Sequence, residues 1–160
     1  DGLLPHSFTT EKYVREVTLP NLALGAQQAG RDLSQIEVAA GGMMAFAESE
    51  LRLEEMLLDL RKRVAFYGST RTYQKVFEIH GQEDLGHELH QMSVTNRWDE
   101  MPDIVPLDVV REFVVTGTFE SLPDEIRQRQ GFADRVSIDG SGDPLDEDRL
   151  MDLIKRVQAI

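Results

Sequence analysis

Apolar residues are concentrated in one central stretch of the chain, SQIEVAAGGMMAFAE, which spans Ser34–Glu48. Within it, Ile36–Ala47 contains no charged residue after Glu37 and no proline. Such a run is typical of a strand buried on both faces, as in the parallel sheet of an α/β fold. A short core helix is the alternative, but the paired glycines Gly41-Gly42 weaken a helix interior. We therefore predict that Ile36–Ala47 is an inner strand.

Helical periodicity precedes this strand. Apolar residues recur at helical spacing over Tyr13–Ala29, with Thr9 or Thr10 as the predicted N-cap and Gly30 as the predicted C-cap. Pro20 lies inside this helix. We expect it to kink or split the helix, because proline has no backbone N–H to donate.

The strongest amphipathic pattern follows the strand, in Ser49–Gly68. Its apolar face consists of Leu53, Met56, Leu57, Leu60 and Val64. Charged residues occupy the opposite face, so this segment is predicted to be a surface helix that covers the core. Ser49 or Glu48 is the predicted N-cap, and Gly68 is predicted to end the helix.

The remaining chain alternates helical and extended patterns. We predict helices over Thr70–Ile79, Asp84–Met92, Asp108–Phe113, Ser121–Gln130 and Asp146–Ala159, with a break at Gly81, an extended segment at Val114–Gly117 and a second strand at Arg135–Ile138. The last helix is expected to bury Leu150, Leu153, Ile154 and Val157. Strands separated by helices imply βαβ crossovers, so the predicted fold class is α/β.

Composition narrows the possible partners. A chain of 160 residues fits one domain, and its formal charge of −12 with no basic patch disfavours nucleic acid and anionic membranes as partners. The longest apolar run is far below the ~20 residues of a membrane helix. No cysteine is present, and no signal peptide is expected. These features are compatible with a cytoplasmic location.

Two motifs resemble metal sites. The segment GHELH places His87 and His90 three residues apart on a helix, but the zinc signature needs one more residue between them, so solvated histidines are the favoured interpretation. The acidic loop IDGSGDPLDED has Pro144 where a calcium loop needs glycine and Leu150 where it needs glutamate. A helix cap at Asp143 or Asp146 is sufficient to explain it. We predict no metal.

A polar stretch, YGSTRTYQKVFEIHG, holds the most interesting side chains of the chain. Its tyrosines, hydroxyls, histidine and guanidinium belong to Tyr67, Ser69, Thr70, Arg71, Thr72, Tyr73 and His80. Such a loop can bind an anionic or aromatic ligand. The alternative is a polar turn between helices whose tyrosines cover the core, and spacing alone does not separate the two.

Several segments together resemble a known family. The opening DGLLPHSFTTEKYVREVTLPNLALGAQQAGRD, the run RKRVAFYGSTRTYQKVFEIHG, and then NRWDEM, FVVTGTFESLPDEI and GFADRVSI are similar to the C-terminal half of bacterial luciferase-like flavin-dependent oxidoreductases, especially those that use a deazaflavin coenzyme. This resemblance implies part of a (β/α)8 barrel. It identifies Asp1-Gly2 with the end of the sixth strand, Ile36–Ala47 with the seventh and Arg135–Ile138 with the eighth.

The resemblance also implies an activity. The full-length parent would be an oxidoreductase or monooxygenase that acts on a small organic substrate with a deazaflavin of the 8-hydroxy-5-deazaflavin type, or with FMN. Asp1, Gly2 and His6 are the expected cofactor-binding residues. The expected substrate-binding residues are Tyr67, Ser69, Arg71, Tyr73 and His80. No catalytic residue is assigned.

The expected organisation is a single partial-barrel domain over residues 1–160, in which residues 48–117 form a helical excursion after the seventh strand. Strands one to five are expected to lie outside the chain, so the isolated chain should be inactive. Its expected partner is a second copy or a missing N-terminal half, because open strand edges favour pairing. The alternative function is a non-catalytic half-barrel that acts as an interaction module.

Overall fold

Two three-stranded parallel sheets share the predicted inner strand. The computed structural model describes residues 1–40, 42–138, 141–142 and 145–159. The strands are β1 (Gly2–Leu3), β2 (Glu37–Ala40), β3 (Met43–Ala47), β4 (Val114–Thr118), β5 (Arg135–Val136) and β6 (Ser141–Gly142). The α-helices are α1 (Glu11–Tyr13), α2 (Leu19–Gln28), α3 (Glu50–Gly68), α4 (Gln74–Glu78), α5 (Glu83–Val94), α6 (Leu107–Phe113), α7 (Leu122–Gln130) and α8 (Glu147–Gln158). Short 3-10 helices cover Leu33–Gln35, Arg71–Tyr73 and Met101–Ile104.

The inner strand has two segments rather than one. β2 lies between β1 and β5, β3 lies between β4 and β6, and every pairing is parallel. The interruption falls at the predicted glycine pair, where Gly42 has a φ of +137°, a backbone conformation that favours glycine. β5 and β6 keep the same register offset to β2 and β3, so the interruption does not shift the pairing on that side. The α/β class with parallel sheets is confirmed.

β3 is buried on both faces and separates two hydrophobic clusters. Met43, Ala45 and Ala47 belong to the larger cluster, which is formed mainly by α3, α4, α5 and α6. Met44 and Phe46 belong to the smaller cluster with α7 and α8. Successive strand residues point to opposite faces, so one five-residue strand anchors both layers of the fold.

Predicted helix starts are confirmed at three positions. Thr10 Oγ1 accepts a hydrogen bond from the Tyr13 N–H, Ser49 Oγ from the Arg52 N–H, and the Asp146 carboxylate from the Arg149 N–H. The predicted disturbance at Pro20 is also confirmed. A π-helical segment, Val14–Thr18, joins α1 to α2 just before this proline.

The predicted end of α3 at Gly68 is confirmed; this glycine is buried, and a Cβ there would lie 2.6 Å from Phe77 Cε2. Two other details of the predictions are wrong. Leu150 is exposed on α8, while Leu153 is buried. The second strand is shorter than predicted, because its pairing with β2 covers only Arg135–Val136. Asp143 and Pro144, part of the acidic loop, lie outside the described residues.

β4 enters the sheet directly after α6, and a half-buried guanidinium holds this junction. Arg129 of α7 donates to the carbonyl oxygens of Arg111, Glu112 and Val114 at distances of 2.6–2.8 Å. These carbonyl oxygens lie at the C-terminal end of α6, where no backbone N–H of the helix remains to donate to them. A cation at this end is also favoured by the helix dipole. Burial lowers the pKa of Arg129.

The packing of Gly68 yields a first prediction. Replacing Gly68 with alanine forces a methyl group against the Phe77 ring, and we expect a loss of about 1–3 kcal/mol in the free energy of unfolding. Gly25→Ala in α2 is the matched control, since no atom lies within 4 Å of the added Cβ. That variant should gain about 0.5–1 kcal/mol from helix propensity. Urea denaturation of both variants measures the two changes, and equal effects would contradict the packing argument.

Candidate functional site

Three aromatic rings meet where the chain leaves the carboxyl end of β1. His6 follows this strand by three residues, and its ring stacks on Tyr73 with centroids 4.9 Å apart. The same ring makes an edge contact with Tyr67 at 5.1 Å. The structure thus brings together one predicted cofactor residue and two predicted substrate residues.

Buried aromatic side chains support this ring cluster. Phe8 lies against Tyr67 and Tyr73 at 5.8 and 5.4 Å and stacks on Phe113 at 4.3 Å. The Phe8 N–H donates to His6 Nδ1 over 3.0 Å. Since Nδ1 accepts this bond, the proton of the neutral His6 imidazole lies on Nε2. The exposed ring therefore presents an N–H donor.

Ser69 and Arg71 form a second group, joined by His90. Ser69 is buried, and its hydroxyl donates to the Phe66 carbonyl. His90 Nδ1 lies 2.9 Å from the Ser69 carbonyl oxygen, while Arg71 Nε donates to His90 Nε2 over 3.0 Å. Arg71 is the first residue of a 3-10 helix of only three residues. A helix this short has a small dipole, so its N-terminus adds little to the attraction of Arg71 for an anion.

His80 lies apart from both groups. Its Nε2 is 2.8 Å from Thr10 Oγ1, and its Nδ1 is 3.8 Å from a carboxylate oxygen of Glu112. Burial lowers the pKa of His80, and the charge of Glu112 opposes that change. His80 therefore links the start of α1 to the end of α6 beneath the surface.

Asp1 and Gly2 do not join the ring cluster. The Asp1 carboxylate pairs with Arg31 at 2.7 Å, and Gly2 lies within β1. A Cβ at Gly2 would lie 2.8 Å from the Glu37 carbonyl oxygen, so the missing side chain permits close strand pairing. Of the three expected cofactor residues, only His6 reaches the other predicted site residues.

Sequence reasoning missed two participants, His90 and Thr10. In the sequence, the spacing of His87 and His90 suggests only a possible metal ligand. In the structure, both ring nitrogens of His90 lie within hydrogen-bond distance of protein groups. Among the described residues, no group of three His, Asp or Glu side chains is arranged to hold a metal ion. Thr10 carries only a capping signal, and nothing in local spacing connects it to a histidine 70 residues later.

The described chain is thus a parallel α/β structure in which His6, Tyr67 and Tyr73 meet beyond the carboxyl end of β1. Residues 1–135 match the family of luciferase-like monooxygenases. The chain is 36% identical over 137 residues to an uncharacterized protein of Mycobacterium bovis and equally so to one of Mycobacterium tuberculosis, covering 85% of this chain. The chain belongs to the luciferase-like monooxygenase family. It spans 40% of the length of these relatives.

The fold resembles a solved structure at lower identity. The coenzyme F420-dependent tetrahydromethanopterin reductase of Methanopyrus kandleri superposes with a TM-score of 0.64 and 21% identity. The match covers 91% of this chain and 41% of the reductase. This likeness supports the fold assignment. Within the described segments, no helix has the length and apolar character needed to cross a membrane.

His80 gives a prediction for the pH dependence of stability. Its ordinary pKa of 6.5 applies in the unfolded chain, and the folded value is lower. The unfolded state therefore takes up a proton first as the pH falls. The stabilising contribution of neutral His80 is complete above pH 6.5 and is lost as the pH falls through the lowered folded pKa. The charged groups that act on this ring are Glu112, Lys12, Glu16 and Arg129.

We expect the free energy of unfolding to decrease between about pH 7.5 and about pH 5, with a smaller decrease in His80→Gln. Urea midpoints across this range measure the difference. His87→Gln, which alters an exposed histidine on α5, should keep the decrease of the unmodified chain. Parallel pH profiles for all three proteins would contradict the assignment to His80.

Proposed function

We propose that the chain forms the C-terminal portion of a luciferase-like oxidoreductase. The reaction would move hydride between a small organic substrate and a deazaflavin of the 8-hydroxy-5-deazaflavin type, with FMN as the alternative cofactor. The observation that carries this proposal is the His6–Tyr67–Tyr73 ring cluster beyond the carboxyl end of a parallel strand, in a chain of this family. Barrel enzymes place their sites at that end.

The strand order supports the barrel assignment. We equate β1 with the sixth strand, β2 and β3 with the seventh, and β5 and β6 with the eighth, because they lie side by side in that order and run parallel. The segment of residues 48–117 leaves from the carboxyl end of β3 and re-enters the sheet at the amino end of β4, because the two strands are parallel. It is therefore a crossover connection whose helices cover one face of β3, and we assign it to the same domain.

The residues present fit one wall of a flavin site. An exposed imidazole and two half-buried phenol rings suit the planar ring system, and the guanidinium of Arg71 suits a phosphate or carboxylate. Cavities of about 30 to about 530 Å³ in the described chain are lined by residues outside the ring cluster. Because His6 is exposed, we infer that a complete pocket around the ring cluster needs further residues and that this chain alone is inactive.

Each residue would have a defined task in the assembled enzyme. The bound cofactor supplies the hydride chemistry. His6 would donate the Nε2–H to a polar ring edge or substrate oxygen, since its Nδ1 is occupied by the Phe8 N–H. Tyr67 and Tyr73 would orient the ring of His6 and exclude water from one side. Arg71 would hold an anionic group by ion pairing.

An interaction module is the second candidate function, and the strand edges favour it. Within the described residues, β1 and β5 each pair on one side only, so their other edges are open. The apolar strand surface available for self-association is smaller than expected, because Val38, Met43, Met44 and Phe46 are buried within the chain. We therefore favour pairing with a segment that completes the barrel over pairing with a second copy.

Complementation tests both candidates. We would co-express this chain with the part of the Mycobacterium bovis relative that lies outside the matched 137 residues. The two should co-purify, and the complex should oxidise reduced FMN or reduced deazaflavin with a carbonyl substrate, whereas the chain alone should not. His6→Ala should lower kcat/KM about tenfold or more, the effect of losing a positioned hydrogen bond. Trp98→Leu, an exposed aromatic change elsewhere, is the matched control.

The outcomes separate the two functions. Co-purification without any coenzyme-dependent turnover would favour the interaction module. Equal kcat/KM for the His6→Ala and Trp98→Leu complexes would remove His6 from the site. Micromolar cofactor binding by the chain alone would contradict the view that the pocket is shared with another segment.

A further inference from the structure

His90 occupies an unusual position, because both of its ring nitrogens bind the segment that carries Arg71. Arg71 Nε lies 3.0 Å from His90 Nε2, and the Ser69 carbonyl oxygen lies 2.9 Å from His90 Nδ1. A guanidinium N–H can only donate, so Nε2 must accept and carries no proton. The remaining proton is on Nδ1 and is donated to the Ser69 carbonyl. The two bonds together define one neutral tautomer.

This arrangement leaves the outer edge of the guanidinium open. Within the described part of the chain, the Nη groups of Arg71 make no hydrogen bond and no ion pair, and the side chain is exposed. Glu78, an acidic residue nearby in sequence, pairs instead with Lys75 at 2.7 Å. The anchoring bond uses only Nε, so the two Nη groups can form a fork toward a phosphate or carboxylate.

The helix that carries His90 is itself held firmly against the Arg71 segment. The Gln74 amide donates to the carbonyl oxygens of Gly68 and Gly86, both at 3.1 Å, and so joins the end of α3 to the first turn of α5. Leu89, next to His90, is fully buried in the larger cluster. The packing of α5 therefore holds the backbone of His90, and two hydrogen bonds hold its imidazole.

We propose that His90 is a positioning residue that holds Arg71 in place to receive the anionic group of a cofactor or substrate. The proposal rests on the proposed function, which places a ligand at the adjoining ring cluster. A free arginine side chain loses several rotamers on binding an anion, and a side chain already fixed at Nε loses fewer. An exposed carboxylate in the place of His90 would neutralise the guanidinium. A neutral imidazole fixes it and leaves its charge available to the ligand.

NMR spectroscopy measures the geometry and the binding separately. Long-range ¹⁵N–¹H spectra of the chain should show His90 as the neutral Nδ1–H tautomer near neutral pH. Titration with inorganic phosphate, and separately with acetate, should then shift the Arg71 Nε–H signal. A stronger response to phosphate would indicate a phosphorylated ligand, and a stronger response to acetate a carboxylate ligand.

The variants test whether His90 acts through Arg71. His90→Ala should weaken anion binding about three- to tenfold, the worth of one hydrogen bond, and Arg71→Ala should abolish most of the binding. The double variant should be no weaker than Arg71→Ala alone. His90→Gln, whose amide carries both a donor and an acceptor, should recover part of the affinity, and His87→Ala on the same helix should bind normally.

Three results would overturn the proposal: the other tautomer at His90, no anion-dependent change at Arg71 in the unmodified chain, or unchanged affinity in His90→Ala. Each of these is independent of turnover in the complemented enzyme. Coenzyme-dependent turnover with unchanged anion binding in His90→Ala would therefore refute the role of His90 alone. Anion binding with the predicted variant effects but no turnover would refute the proposed function alone.

Discussion

The two-sided burial of β3 is the constraint on which the rest of the fold depends. A strand with the sequence MMAFA has no polar side chain to present to water, so both of its faces must be covered. The helices of the excursion cover one face, and α7 and α8 cover the other. The excursion is thus part of the hydrophobic core. The ring cluster depends on the same core, because Phe8 belongs to the larger hydrophobic cluster and contacts both Tyr67 and Tyr73.

Features that depend on local chemistry were predictable from the sequence. The apolar face of α3 is buried at all five predicted positions, and the caps at Thr10 and Ser49 form as expected, because helical spacing and capping act over a few residues. The sequence did not indicate, however, that β4 pairs with β3 in the sheet. Val114–Thr118 has an extended pattern, but its partner β3 lies far earlier in the chain, and pairing at that distance leaves no signal in either segment.

The site shows the same division between local and distant effects. Tyr67 and Tyr73 share one polar stretch and do meet, yet their contact with His6 depends on packing between segments that are far apart in the sequence. The resemblance identifies Asp1-Gly2 with the end of the sixth strand and therefore places both residues beside His6. In the structure Gly2 lies within β1, paired with Glu37, and the strand continues to Leu3. Pairing with Arg31 fixes Asp1 elsewhere.

The electrostatics of an acidic chain explain why an imidazole suits the position beside Arg71. With 29 acidic residues in the chain, many cations pair with a nearby carboxylate, as Arg15, Arg97 and Arg127 do on their own segments. Such exposed pairs contribute little to stability, but they do neutralise the guanidinium. A hydrogen bond from Arg71 Nε to a neutral ring orients the group and keeps its full charge. The Ser69 carbonyl completes the arrangement, because it holds the only imidazole N–H proton on Nδ1 and so keeps Nε2 available as an acceptor.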